Sequence, residues 1–438
     1  MLFLLHTFLF IAFFAGALWG IAKWQFFNIE GTKREHLLAF FVLKVAAGIA
    51  LIAVYTYYYT DQSRADVYRY FNDSVIISKL LFEKPLVWLK IMSGIGINEE
   101  ETFEYLKQTL YFSHPQHDWV TDNTFIIRIH VLLNYLSFSN IYINNLLLNF
   151  ASFAGLTAAL KALKDYFPEN PRVLYLPLFL IPSVVFWSSG PLKEQLLFSF
   201  AGFYLLALNK GLFGKRIFDF LFAAILLLCM LYVKPMVAVL LPVCSAFLPV
   251  FNLYDTKRLI AVGLIAVLAS ALVVSMDWHY KACDVLINKR NEFIRLGLQE
   301  QVGSYFDTKL INGSCKQLLA FVPNAIANAM LRPYLWEGGN VFQLLFALEN
   351  TVLVLLVVYL LVRFFQMPEA KEKRLLFVFC LSFALLNYLA VGLTVPIMGA
   401  IVHYRVIASP FLLLAVLCWC NISQLKYSRN LMKGFTMA

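Results

Sequence analysis

The chain is 438 residues long, 61% hydrophobic and 16% aromatic, with only 14% charged residues, against about 25% in an ordinary soluble domain. A mean hydropathy of +0.72 and 41 Phe require an apolar solvent around most of the chain, which excludes a soluble enzyme of this length. The net charge of +10 would suggest nucleic acid in a soluble protein, but in a membrane protein it reflects loop topology, so no nucleic-acid partner is expected.

At roughly 20 apolar residues per bilayer crossing, the pattern predicts spans near 2–22, 36–59, 141–163, 173–189, 193–209, 216–233, 235–252, 258–276, 341–363, 375–395 and 405–420. The fold class is all-α: a polytopic helical bundle of about eleven transmembrane helices in one membrane domain, 1–438. The first segment lacks the basic start and small-residue cleavage site of a secretory signal and reads as a retained span. Residues 124–138 carry Arg128, His130 and Asn134 among apolar neighbours, a pattern suited to an interfacial helix. One alternating set of short loops gathers the cations, among them Lys23, Lys33, Arg34, Lys164, Arg172, Lys210, Lys215, Arg216, Lys257, Arg258, Lys371, Lys373 and Arg374. These read as cytoplasmic, which places the loops 60–123 and 277–340 outside. The first of these, with its apolar stretch Val75 to Trp88, reads as short helices along the membrane surface. Cys283 and Cys315 in the second either pair or stay as free thiols.

Several residue groups carry chemistry. Asp61 and Asp66 stand just past the second predicted span, where a carboxylate beside apolar surface suits a general base. Arg64 and Arg69 accompany them, and the mixture fits either a site handling a hydroxyl and a phosphate or a solvated cluster of ion pairs. The stretch from Pro182 through Trp187 to Lys193 and Glu194 turns through small residues and re-enters an apolar run at once. Two charges at that depth need partners or substrate, and Lys193 with the following helix start could receive an anion. Lys234, and Arg405 with His403 beside it, are single cations in the remaining short outer loops, and Arg332 precedes another span. Each alone reads as an interfacial snorkel; together they read as a pocket for a phosphate or pyrophosphate headgroup. His114, His117 and Asp118 have the residue types for a divalent metal without a strong ligand spacing, so no cofactor beyond such a metal is expected. Glu349 and Asn350, and likewise Asn144, Asn145 and Asn149, should face a bundle interior. With no Walker, dinucleotide or hydrolase-elbow motif, the energy source is an activated substrate or an ion gradient.

The acidic loop after an early span, the Pro-Ser-aromatic-Trp-Ser…Lys-Glu hairpin and the closing Tyr404-Arg405 followed by Pro410 together resemble polytopic GT-C-type glycosyltransferases and related bacterial polysaccharide polymerases. The resemblance is spread over most of the chain. It implies Asp66 or Asp61 as base and Arg405 with Lys193 as binders of a polyprenyl-phosphate sugar donor. The chain departs from that pattern in having an extra preceding span and no adjacent pair of acidic residues.

These readings converge on a multi-pass protein of a bacterial cytoplasmic membrane, with its site facing the periplasm or exterior. Its expected partners are the bilayer, a polyprenyl-linked donor and a glycan or lipid-linked acceptor. The rival readings are a transporter or flippase of lipid-linked oligosaccharide and a non-catalytic envelope scaffold.

Overall fold

The computed structural model describes residues 2–59, 61–97, 99–112, 121–214, 216–246, 248, 282–299, 304–305, 310–311, 315–364 and 371–419, with the side chains of 64, 213, 282, 315, 363, 364 and 371 outside that description. Every regular element in them is helical, and no strand occurs among the described residues beyond one isolated bridge, Tyr305 to Ile397. Five helices are long and apolar enough to cross a membrane, or six if one bent pair counts as a span, among the described residues. The predicted span 258–276 lies outside them.

Two compact units organise the chain: Met1–Ala162 with Val185–Pro235, and Leu163–Val184 with Met236–Ala438. The first contains α1 (Leu2–Lys23), α2 (Arg34–Ala53, prolonged by a π-helical turn Val54–Tyr58), α3 (Asp66–Glu83), α4 (Pro85–Ser93), α5 (Glu100–Leu106), α6 (Asp122–Ser137) and α7 (Ile141–Leu163). After the short helix α8 (Pro182–Trp187) come α9 (Lys193–Gly214) and α10 (Ile217–Val233). Apolar all round, α1 buries only Ile21; a helix of that pattern needs an apolar solvent. By contrast α6 has two faces. Its Ile126, Ile127 and Val131 are buried while Leu132 and Leu136 are exposed, and it lies against α3 through Asn134 Nδ2 to Ser74 Oγ (3.0 Å) and Tyr135 OH to Ser78 O (3.1 Å).

A close backbone approach in this unit joins α7 and α9. They run in parallel, with Gln195 bonded to Asn145 near their starts and Asn209 to Ala162 near their ends. A Cβ at Gly202 would overlap the carbonyl oxygen of Gly155, so glycine is what lets the backbones meet, as small residues do between membrane helices.

The second unit holds α11 (Pro235–Ser245), α12 (Ala282–Gln299), α13 (Cys315–Ala320), α14 (Val322–Leu331), α15 (Val341–Phe364), α16 (Lys371–Thr394), α17 (Met398–Arg405) and α18 (Ser409–Trp419). Its core packs α16 against α14 and α18: Phe383 meets Phe411 at 4.5 Å and Phe377 meets Trp419 at 4.3 Å between ring centroids. Cys283 is disulfide-bonded; the Cys315 side chain proposed as its partner is outside the described residues.

Two of the sequence-read spans differ from continuous helices. Over 173–189 the backbone forms a 3-10 turn Pro171–Leu174, a π-helical turn Leu176–Leu180 and then α8, because Pro171, Pro177 and Pro182 each lack the N–H a continuous helix needs. The span read near 405–420 starts earlier, at Met398, and bends by 57° between α17 and α18, where Pro410 is the second residue of α18 and ends the preceding helix for the same reason.

Replacing Gly202 by leucine should force α7 and α9 apart and cost at least about 2 kcal/mol, whereas leucine at Gly16, where a Cβ would meet nothing within 4 Å, should be silent; melting of both variants in lipid reads the contrast, and equal melting temperatures would refute the close contact.

Candidate functional site

Three polar assemblies stand out, two in the first unit and one in the second. The deepest surrounds the chain break between α8 and α9, Ser188-Ser189-Gly190-Pro191, all of it buried. Backbone leaving a helix in apolar surroundings must find new hydrogen-bond partners. Asn149 Nδ2 and Gln195 Nε2 donate to Ser189 O at 2.8 and 2.9 Å, and the neutral imidazole of His130 donates from Nε2 to Pro191 O at 3.3 Å. The opposite nitrogen, Nδ1, accepts from Asn144 Nδ2 at 3.3 Å. Lys44, 3% exposed in the middle of α2, donates to Ser188 O, to Ser188 Oγ (2.8 Å) and to Ser189 Oγ (3.3 Å). No carboxylate pairs with it among the described residues. α2 approaches this closely because residue 48 is glycine; a Cβ there would overlap Ser189 O.

At the end of the unit where α3, α6 and α9 start and α10 stops, charges gather around Tyr70. Lys193 Nζ pairs with Asp122 Oδ2 at 2.6 Å, takes Asn123 Oδ1 at 2.8 Å and lies 5.7 Å from the Tyr70 ring centre. Lys234 Nζ pairs with Glu194 Oε1 at 2.8 Å, and that carboxylate is 1% exposed. Tyr70 OH donates to Asn123 Oδ1 at 2.9 Å, and Tyr111 OH donates to Asp66 Oδ1 at 2.9 Å. Burial first, and then the charge of Asp66, push both phenols upward, so each hydroxyl keeps its proton and serves as a donor. Asp73, on the same face of α3, accepts the backbone N–H groups of Leu110 and Tyr111 at 2.9 Å each. Burial raises its carboxyl, and those two donors work in the opposite direction.

The second unit holds Arg405, 5% exposed at the end of α17. Its Nη1 donates to Ala329 O at 2.9 Å and to Arg332 O at 2.6 Å. Nε and Nη2 have no hydrogen-bond partner, and no carboxylate lies in ion-pair contact, among the described residues. Glu349 is within electrostatic range, but its oxygens are held by Ser183 N (2.7 Å) and Ser183 Oγ (2.6 Å). Arg332 pairs with Glu337 at 3.3 Å.

The sequence-read candidates therefore take different parts. Asp66, Lys193, Glu194 and Lys234 meet in one cluster; Arg69, nearby on α3, turns its Nε to Ser63 O. Asp61 caps the turn Gln62–Arg64 through Ser63 N at 3.1 Å, a local role. Lys193, Lys234 and Arg332 hold carboxylates, whereas Arg405 holds backbone carbonyls. His403 stacks on Tyr404 at 5.3 Å. Glu349 and Asn350 serve hydrogen bonding, the latter to Leu331 O at 2.7 Å. His114, His117 and Asp118 lie outside the described residues, among which no three metal-ligating side chains converge. Sequence reading missed Lys44, Asp73, Tyr111 and Asp122. An ammonium in the centre of an apolar run was the available signal for Lys44; the other three have none, since their partners lie far away in sequence.

Comparison with family models, curated proteins and solved structures gives no match for this chain.

His130 supplies a pH test. Burial pushes its imidazole from 6.5 down to about 4, so the folded state disfavours the proton: stability is full above pH 6.5 and declines as pH falls toward 4, by ~1.4 kcal/mol per unit and about 3 kcal/mol in all. Thermal melting across that range should show a steeper loss for the wild type than for His130→Gln, and parallel curves would contradict a buried neutral imidazole.

Proposed function

We propose that this chain is a polytopic membrane glycosyltransferase or polysaccharide polymerase of about eleven spans, acting on the extracytoplasmic face of a bacterial cytoplasmic membrane. It transfers a sugar from a polyprenyl-phosphate or polyprenyl-pyrophosphate donor to a glycan or lipid-linked acceptor. The observation that carries this reading is Arg405. A guanidinium almost wholly removed from solvent, without an ion-paired carboxylate, is costly unless an anion arrives. Its Nη1 is pinned by two carbonyls, which orients the Nε–Nη2 edge, the one suited to bidentate contact with a phosphate. A lipid-linked donor brings such a phosphate to the membrane boundary while its tail stays in the bilayer.

Asp66 is the base of this reaction. Its Oδ1 takes the Tyr111 hydroxyl and its Oδ2 is without a partner among the described residues. The acceptor hydroxyl loses its proton to Asp66 as its oxygen forms the new bond to the anomeric carbon, and the phosphate departs with the electron pair of the broken bond. The configuration at that carbon inverts.

A second reading, a flippase for a lipid-linked oligosaccharide, is favoured by one observation: the helix break at Ser188–Pro191 with Lys44 against it, since transporters place their sites at broken helices.

The deciding experiment offers purified protein in lipid a panel of labelled sugars on undecaprenyl phosphate and undecaprenyl pyrophosphate. Transfer should fall at least ~100-fold in Asp66→Asn and should be lost in both Arg405→Ala and Arg405→Lys, the latter keeping charge without the fork. Transfer that survives Asp66→Asn overturns the base; protein-dependent movement of the intact lipid-linked sugar between leaflets, with no transfer from any donor, overturns the transferase in favour of the flippase.

A further inference from the structure

The segment that follows α5 is tied to α3 at both ends of a single residue, Tyr111. Asp66 and Asp73 are seven positions apart, two helical turns, and so face the same way. At the upper turn the carboxylate of Asp73 takes the N–H of Leu110 on Oδ1 and the N–H of Tyr111 on Oδ2, 2.9 Å each. At the lower turn the hydroxyl of Tyr111 reaches Asp66 Oδ1, again at 2.9 Å. Between them the Tyr111 ring lies 5.4 Å from that of Tyr70, itself buried and fixed to Asn123 Oδ1. Tyr111 is therefore strapped along α3, backbone on one acid and side chain on the other.

A free aspartate carboxylate turns easily about its last torsion, because that torsion is broad, and so offers either oxygen to a substrate in many orientations. A donor held rigidly on one oxygen removes that freedom. Tyr55, Tyr70 and Tyr111 are among the groups within electrostatic range of Asp66, and Arg69, one turn along α3, also reaches the Tyr111 hydroxyl. Of these only Tyr111 bonds to it.

We propose that Tyr111 is a positioning residue that commits Asp66 Oδ1, leaving Oδ2 as the oxygen that receives the acceptor hydroxyl's proton, and that Asp73 is the anchor that holds Tyr111 there. This rests on Asp66 being the base. Asp73 never meets substrate; it acts only through Tyr111.

Two measurements on the full-length protein in lipid test it. The first needs no substrate: the rate at which dicyclohexylcarbodiimide modifies Asp66, followed by peptide mass spectrometry with Asp66→Asn as blank. Tyr111→Phe keeps the ring on Tyr70 and removes only the hydroxyl. It should raise modification by about 10- to 100-fold, the weight of one hydrogen bond to a charged group, and Asp73→Asn should do the same. The second is turnover with the undecaprenyl-linked donors, normalised to folded protein. Tyr111→Phe should lower kcat by about 10- to 100-fold with donor KM unchanged, and the Tyr111→Phe/Asp73→Asn double variant should be no slower than the slower single one, since the two act in series. Unchanged modification of Asp66 in Tyr111→Phe overturns the inference whatever the turnover shows. So does a rise in KM at constant kcat, or a double variant in which the losses multiply. Raised modification in a protein that transfers no sugar leaves the strap standing and removes the transferase reading alone.

Discussion

A break in the chain at Ser188–Pro191, enclosed by apolar helices, has to satisfy its own backbone, and most of the first unit's polar interior exists to do so. Lys44 from α2, His130 from α6, Asn149 from α7 and Gln195 from α9 all turn toward these few carbonyls. In water the same groups would gain little from meeting. Away from water each unmet carbonyl is expensive, so four helices are drawn to one point. The arrangement also sets where α9 begins, and with it the height at which Lys193 and Glu194 enter the cluster around Tyr70. The cluster around Tyr70 thus rests on a structural need below it.

Among the described residues, the cations withdrawn from water include two kinds. Lys193 and Lys234 sit against Asp122 and Glu194, and pairs of this sort are held by the loss that would follow from removing either partner. Arg405 is held by carbonyl oxygens through one nitrogen. Carbonyl dipoles orient a guanidinium without cancelling its charge. The field of Arg405 therefore persists into its surroundings, where a paired lysine's is largely spent on its neighbour.

How much of this was legible in the sequence depended on whether the signal was local. Long apolar runs such as 341–363 read as helices because the pattern lies within one element. The two faces of α6 were visible for the same reason. The stretch 173–189 misled because its composition is apolar while Pro171, Pro177 and Pro182 forbid a continuous helix; hydropathy averages over residue order, and backbone geometry does not. That Lys193 and Glu194 would need partners could be read from charge placed beside apolar sequence. Which partner each charge would take could not. Asp122 is 71 residues from Lys193 and Glu194 is 40 from Lys234, and the Asp73 bracket on residues 110 and 111 spans 37 and 38. Such pairings follow from the assembled helices and leave no period or motif in the chain.

The 144 residues between Lys44 and Ser188 also impose an order on biogenesis. α2 is synthesised and must leave the translocation channel long before the oxygens that will surround its ammonium exist. A lysine at the centre of an inserting helix costs about 3 kcal/mol, and each Leu, Ile, Val or Phe returns roughly 0.3–0.6. With ten such residues between Leu37 and Ile52, α2 carries enough apolar surface to enter alone, its lysine reaching for the nearer boundary in the meantime. The later arrival of Ser188 and Ser189 then withdraws that side chain into the interior, so the final seating of α2 waits on a segment made 144 residues later.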